Sequence, residues 1–226
     1  MSGAVPDHRL RCAVDASIGW CEDLFALHGV GSTLSGGLWC STGAPPPLHS
    51  DAVVVEPGVT AEQVARCLTG RGHAGVKDSF ATLDLSGAGL RELFSATWLH
   101  RAPAPAAAGP WVRVGTPEQL AAWTARHDTA AVLLPGLLLR GHFAVLARRV
   151  DGEFVAGAVA RLGSGVVDVS NTWAVPGHRL DRAELAGAVA ALFPGRPLSG
   201  YESGDDLDAA LAGGFEAVGE LRVWVR

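Results

Sequence analysis

The sequence predicts an α/β protein of two tandem units, each a mixed, mostly antiparallel sheet flanked by helices. Three observations lead there. First, the stretch from Asp51 to Arg101 reads like a copy of the stretch from Val166 to Arg226. Each has an apolar run (Ala52 to Val55; Val166 to Val169), then Pro-Gly (Pro57-Gly58; Pro176-Gly177), then a helical segment. Each continues with a carboxylate and a serine (Asp78-Ser79; Glu202-Ser203), a glycine before a large apolar residue (Gly89-Leu90; Gly214-Phe215) and a late tryptophan (Trp98; Trp224). Second, residues 102–110 carry prolines at 103, 105 and 110 and no apolar periodicity, as a linker does. Third, strand and helix patterns alternate within each half. A period of half the chain implies domains rather than a solenoid. The expected boundaries are 1–101, a linker at 102–110, and 111–226.

In the first half, Ile18, Cys21, Leu24 and Phe25 fall at helical spacing within a helix from Asp15 to Leu27, with Gly29 near its end. Strands are predicted at Leu38 to Ser41 and Ala52 to Val55, on either side of Pro45-Pro46-Pro47. Thr60 and Gln63 form a capping-box pattern that opens a helix carrying Val64 and Leu68. A short strand at Gly75 to Ser79, a helical turn at Leu83 to Gly87 and a strand at Leu93 to Leu99 complete the unit.

The second half opens with a helix from Thr116 to Ala125, where Thr116 caps and Pro117 takes the first helical position. A meander follows: Phe143 to Arg148, a turn at Asp151-Gly152, Phe154 to Leu162, a turn at Gly163 to Gly165, and Val166 to Trp173. A helix at Asp181 to Leu192, a strand at Leu198 to Glu202, a helix at Asp205 to Leu211 and a strand at Glu220 to Val225 close the chain.

Composition narrows the function. The formal net charge is -5, with 18 Lys and Arg against 23 Asp and Glu, so no basic field steers the chain to nucleic acid. No apolar run is long enough to span a bilayer, and Met1 to Asp7 has no apolar signal core, which predicts a cytoplasmic protein without a membrane partner. Cys12, Cys21, Cys40 and Cys67 lie at irregular spacings without a Cys-x-x-Cys, so buried free thiols are expected rather than disulfides, and no metal site. Lys77 is the only lysine.

The order of elements in the second half, with Val167 to Val175, the helix after it and Ala209 to Phe215 before a closing strand, resembles the GCN5-related N-acetyltransferase (GNAT) superfamily. The likeness spans most of residues 111–226 and, more faintly, the later part of the first half. It implies two tandem GNAT-like domains and an acyl-CoA donor, acetyl-CoA, lying where two parallel strands splay apart. Under that resemblance Asn171, Thr172, Trp173, Ala174 and Val175 pair with the pantetheine. Gly177, His178, Arg179 and Arg182 form the phosphate loop at a helix N-terminus.

Glu202, or a water it orders, is the implied base toward a small amine substrate, with Tyr201 and Asp78 as further catalytic candidates. Backbone N–H groups from Asn171 to Ala174 would face the oxyanion. Two departures are visible. The loop lacks the family's second glycine, and Asp181 with Glu184 makes an ordinary helix cap there. The tyrosine that the family places four residues before Gly-Phe is Ala210 here.

Asp168 alternates with Val167 and Val169 and is expected to face solvent or the other half. Trp98 and Trp224 are expected in the core, while Trp39 and Trp173 are candidates to line a substrate cavity. His142 and His178 are expected beside the cleft. The readings carried forward are an N-acyltransferase acting on a small amine, a binding module that keeps the fold, and a relative with altered chemistry on a small metabolite.

Overall fold

In a computed structural model, residues 7–107 and 109–226 are described; residues 1–6 of the N-terminal stretch read above for a signal, and Ala108 of the linker, lie outside them. The chain runs α1 (His8–Leu27), β1 (Ser32–Ser35), β2 (Leu38–Ser41), β3 (Ala52–Val54), α2 (Ala61–Cys67), β4 (Gly75–Asp78) and β5 (Arg91–Arg101). It continues through β6 (Trp111–Val114), α3 (Pro117–Thr124), β7 (Phe143–Val150), β8 (Glu153–Gly163), β9 (Val166–Ala174), α4 (Arg182–Leu192), β10 (Leu198–Glu202), α5 (Gly204–Ala212) and β11 (Glu216–Val225).

Helix starts follow the capping chemistry. Asp7 accepts from the Arg9 amide and begins α1 two turns earlier than the apolar spacing suggests. Thr60 and Gln63 close the reciprocal box at α2, and Thr116 caps α3 ahead of Pro117. Strands β1 and β6 are sheet elements the sequence reading does not anticipate. All four residues of β1 are exposed and two inner residues of β6 are too, so neither shows apolar alternation.

All eleven strands form one sheet, in the order β1-β2-β3-β4-β11-β5-β10-β9-β8-β7-β6. Its centre joins the halves by exchanging their last strands. Strand β5 leaves the first half to pair antiparallel with β10 (Tyr201 opposite Trp98), and β11 leaves the second to pair with β4 (Trp224 opposite Val76). The exchanged strands also pair with each other, antiparallel. The linker therefore separates the halves in sequence while the hydrogen-bonded sheet runs through both.

Helix α1 covers one face. Its Ala13, Val14, Leu24 and Phe25 are buried with Trp39, Trp98, Trp123 and Leu221 in a core drawn from both halves. On the opposite face α2 packs over β2 to β4, with Trp224 in that cluster, and α4 packs over β7 to β10. Full burial of each such large apolar side chain contributes about 1.5–3 kcal/mol. Beneath α1, Asp23 accepts from Arg161 Nε (2.7 Å) and contacts His142 Nε2 (2.8 Å) and Arg140, so His142 anchors the helix rather than flanking a cleft.

The cysteines depart from expectation. Cys40 on β2 and Cys67 at the end of α2 are joined as a disulfide, and Cys12 and Cys21 are free. Their separation of 27 residues carried no pairing signal; the packing of α2 on β2 supplies it. Among the described residues no helix is long and apolar enough to cross a membrane.

Candidate functional site

Strands β9 and β10 run parallel but pair at two positions, Leu198 with Val167 and Ser199 with Asp168. At Gly200 they touch: a Cβ there would lie 2.7 Å from the Val169 carbonyl oxygen, so this contact requires glycine. Past it they diverge. The cause on β9 is a bulge, a register shift against β8 between Ser170 and Trp173, with Asn171 at φ 51°. The corresponding pair in the first half, β3 and β4, stays in register from Ala52–Val76 to Val54–Asp78.

On the α4 side the splay is filled by side chains. Arg182, 6% exposed, turns inward and sets Nη2 at 2.8 Å from Glu202 Oε1 and 3.3 Å from Asp206 Oδ1. Thr172 Oγ1 donates to the same Glu202 oxygen at 3.2 Å, so the bulged strand, the end of β10 and the start of α4 share one contact. The α5 terminus backs this up, because a Cβ on Gly213 would meet Arg182 Cβ at 2.5 Å. The space left is about 10 Å³, roughly enough for one water. Burial pushes the Glu202 carboxyl up, with Arg182 pulling the other way. The first amides of α4 are taken as well: Asp181 accepts from both Ala183 and Glu184 N–H at 2.9 Å. Gly177, His178 and Arg179 lie exposed in the preceding loop.

The α1 side is different. A cavity of 1160 Å³ lies between the halves, bounded by α1 (Ser17, Trp20, Cys21), by the loop from Thr42 to Asp51, and by the diverging strands. Lys77 projects into its wall from β4, donates to Ser17 Oγ at 3.1 Å, and lies 4.7 Å from the centre of the Tyr201 ring. Desolvation works against its charge, but Tyr201, Cys21 and Asp168 outweigh it and hold the ammonium above its ordinary range. Asp168 shares the cavity, and burial pushes its carboxyl up to about 6 despite attraction from Lys77 and Arg161. His49 accepts from Trp20 Nε1 at 3.1 Å and sits 2.9 Å from the Pro47 carbonyl; burial drives it down to about 4, so it is neutral at pH 7.

The residues singled out in the sequence divide accordingly. Asn171, Thr172, Tyr201 and Glu202 do meet, at the splay. Asp78 is fully buried elsewhere, accepting from the amides of Phe80 (3.2 Å) and Leu83 (2.7 Å), which fixes the turn after β4. Trp173 packs edge-on against Trp123, ring centres 5.4 Å apart, in the core. Trp39 is fully buried beside Phe25, and Val175 is held by a backbone bond to Val155. Of the two positions expected for Asp168, solvent or the other half, the second holds: it is buried and lines the cavity between the halves. Lys77 belongs to no sequence motif; that it is the only lysine of the chain is the one signal the sequence carries for it. Among the described residues no group of three or more His, Cys, Asp or Glu side chains is placed to hold a metal ion.

No family model matches the chain, and no curated protein matches it. Solved structures do. A GCN5-related N-acetyltransferase from Kribbella flavida superposes with a TM-score of 0.64 at 18% identity, over 94% of this chain and 95% of that one. A putative acetyltransferase of the GNAT family from Novosphingobium aromaticivorans gives 0.61 at 18% identity, over 97% and 98%. The chain has the GNAT fold. A functionally unknown conserved protein from Staphylococcus epidermidis also shares it, with a TM-score of 0.65 at 11% identity, over 86% and 92%.

Fold alone does not carry a ligand, and in this GNAT fold the residues present do not fit acyl-CoA. A pyrophosphate at α4 needs the N–H groups that Asp181 occupies. A pantetheine needs the gap that Arg182, Glu202 and Thr172 fill.

Proposed function

We propose that this GNAT-fold chain binds a small metabolite in the cavity between its halves, and that its donor cleft is closed by its own side chains. The observation that carries the reading is the contact of Arg182 with Glu202, buried across the opening where the resemblance places acyl-CoA. The cavity beside it supports the second part. At 1160 Å³ it lies just above the range of about 300–1,000 Å³ usual for small-molecule sites, and its walls mix apolar side chains with a few charged groups.

A second reading is an acyl-CoA-dependent N-acyltransferase acting on a small amine. It draws on one observation: the cavity reaches Asn171 and Glu202 from the side opposite the donor cleft, where an acceptor would have to enter. Under it, Arg182 must leave Glu202 before a donor can bind. Calorimetric titration with acetyl-CoA decides between the two. The closed-cleft reading expects no heat up to millimolar ligand, whereas saturable binding that Arg182→Glu abolishes would overturn it in favour of the transferase.

A further inference from the structure

The inner wall of the cavity holds two opposite charges that attract each other without forming an ion pair. Asp168 on β9 is 6% exposed, yet among the described residues its carboxylate accepts no hydrogen bond and joins no ion pair. The neighbouring cations are committed elsewhere. Arg161 Nε bonds Asp23 at 2.7 Å, and Lys77 Nζ donates to Ser17 while resting on the Tyr201 ring. The carboxylate faces the cavity, and a carboxylate in so confined a place gains from a hydrogen-bonded partner of opposite charge. Lys77 in turn has three donors, of which Ser17 Oγ and the Tyr201 side chain engage at most two, which leaves one donor at the cavity wall. Trp20, Val53, Phe94, Val132 and Val223 supply an apolar lining between and around these groups.

Charge logic narrows what can enter. A simple anion would satisfy Lys77 and be repelled by Asp168. A simple amine would do the reverse, and an apolar molecule would leave both groups unpaired. A molecule carrying one charge of each sign meets both at once and brings no net charge into a low-dielectric space. We propose that the cavity binds a small zwitterion, its ammonium on Asp168, its carboxylate on Lys77 and an apolar body against Trp20 and Phe94. This inference rests on reading the cavity as a small-molecule site and names its ligand class.

The test is calorimetric titration of the whole chain with L-phenylalanine, phenethylamine and 3-phenylpropionate at neutral pH, alongside the acetyl-CoA titration. Phenylalanine should bind saturably, and each single-charge analogue at least about tenfold more weakly, as expected when a charged hydrogen bond is lost. Lys77→Met should erase the preference over phenethylamine, and Asp168→Asn the preference over 3-phenylpropionate. Circular dichroism melts confirm that both variants are folded. Equal binding of all three compounds keeps the cavity as a small-molecule site and overturns the zwitterion assignment alone. No binding by any of the three overturns the assignment too, and if acetyl-CoA then binds, the closed-cleft reading falls with it.

Discussion

Arg182 and Glu202 meet at 2.8 Å across the mouth of the β9–β10 splay, and the contact ties the first turn of α4 to the last residue of β10. The arginine is the more deeply buried of the two, with Gly213 packed directly on its Cβ. The position is not a surface ornament. Surface ion pairs contribute little, but a buried pair that loses one member leaves a desolvated charge behind.

Arg182→Ala should therefore destabilise the chain by about 3 kcal/mol in urea denaturation at neutral pH. The sign of its pH dependence follows from Glu202, whose carboxyl burial already raises. Without Arg182 that rise is larger, and a carboxyl raised in the folded state contributes stability below its unfolded value and loses it as pH climbs through its folded value. The penalty of the substitution should shrink as pH falls toward 5. A penalty that is flat with pH would show that the pair does not act through charge.

Asp168 gives a second, independent slope. Its folded value of about 6 stands above the unfolded range, so its favourable contribution is complete below about pH 4 and disappears as pH rises through 6. The charges facing it are Lys77 and Arg161, and their attraction is already within that value. Asp168→Asn removes the slope. Near pH 7 the variant should be more stable than the parent by up to about 3 kcal/mol, and near pH 4 the two should converge. His49, held neutral by burial, loses stability as pH falls from 6.5 toward 4, but it does so in both proteins and cancels from the difference. Equal stability at neutral pH would mean that Asp168 is not buried as a lone charge.

The contrast between Glu202 and Asp168 shows how far the sequence could be read. The order of strands and helices from α3 onward, the caps at Thr60, Thr116 and Asp181, and the core tryptophans Trp98 and Trp224 follow from local spacing and chemistry. The cap pattern at Asp181 and Glu184 also implies competition with a phosphate for the same amides, and Asp181 accepts from two of them. What local pattern could not carry was contact between halves. Lys77 and Asp168 are 91 positions apart by their numbering (168 − 77) and belong to different halves. They share a cavity because β5 and β11 are exchanged and α1 lies across both units. The Cys40–Cys67 bond is illegible in the sequence for a related reason: it depends on how α2 sits on β2, which irregular spacing does not encode.

That bond gives a direct chemical expectation. Unfolded without reductant and titrated with a thiol reagent, the chain should show two reactive thiols, Cys12 and Cys21, and four after reduction. Cys40→Ser should lower stability by about 3.5 kcal/mol under oxidising conditions, from the chain entropy of closing a loop of 27 residues. Four thiols before reduction would remove the bond from the account.

Gly157 links the core to the bulged strand. It lies on β8 opposite Trp173, and a Cβ there would sit 2.4 Å from both Trp123 Nε1 and Trp173 Nε1. Neither ring can give way cheaply. Trp123 is fully buried and donates to the Leu146 carbonyl at 2.8 Å, and Trp173 is wedged against it edge to face. Overpacking of this kind costs about 1–3 kcal/mol, so Gly157→Ala should lower stability by that amount and shift the tryptophan emission. The displacement also has a route to the site. Trp173 follows Asn171 and Thr172 on β9, and moving its ring pulls on the bulge that opens the splay. Ligand binding in the cavity should weaken in Gly157→Ala even at temperatures where the variant is fully folded. A variant of unchanged stability would mean that the rings relax freely, and a destabilised variant with unchanged affinity would detach the bulge from the core packing behind it.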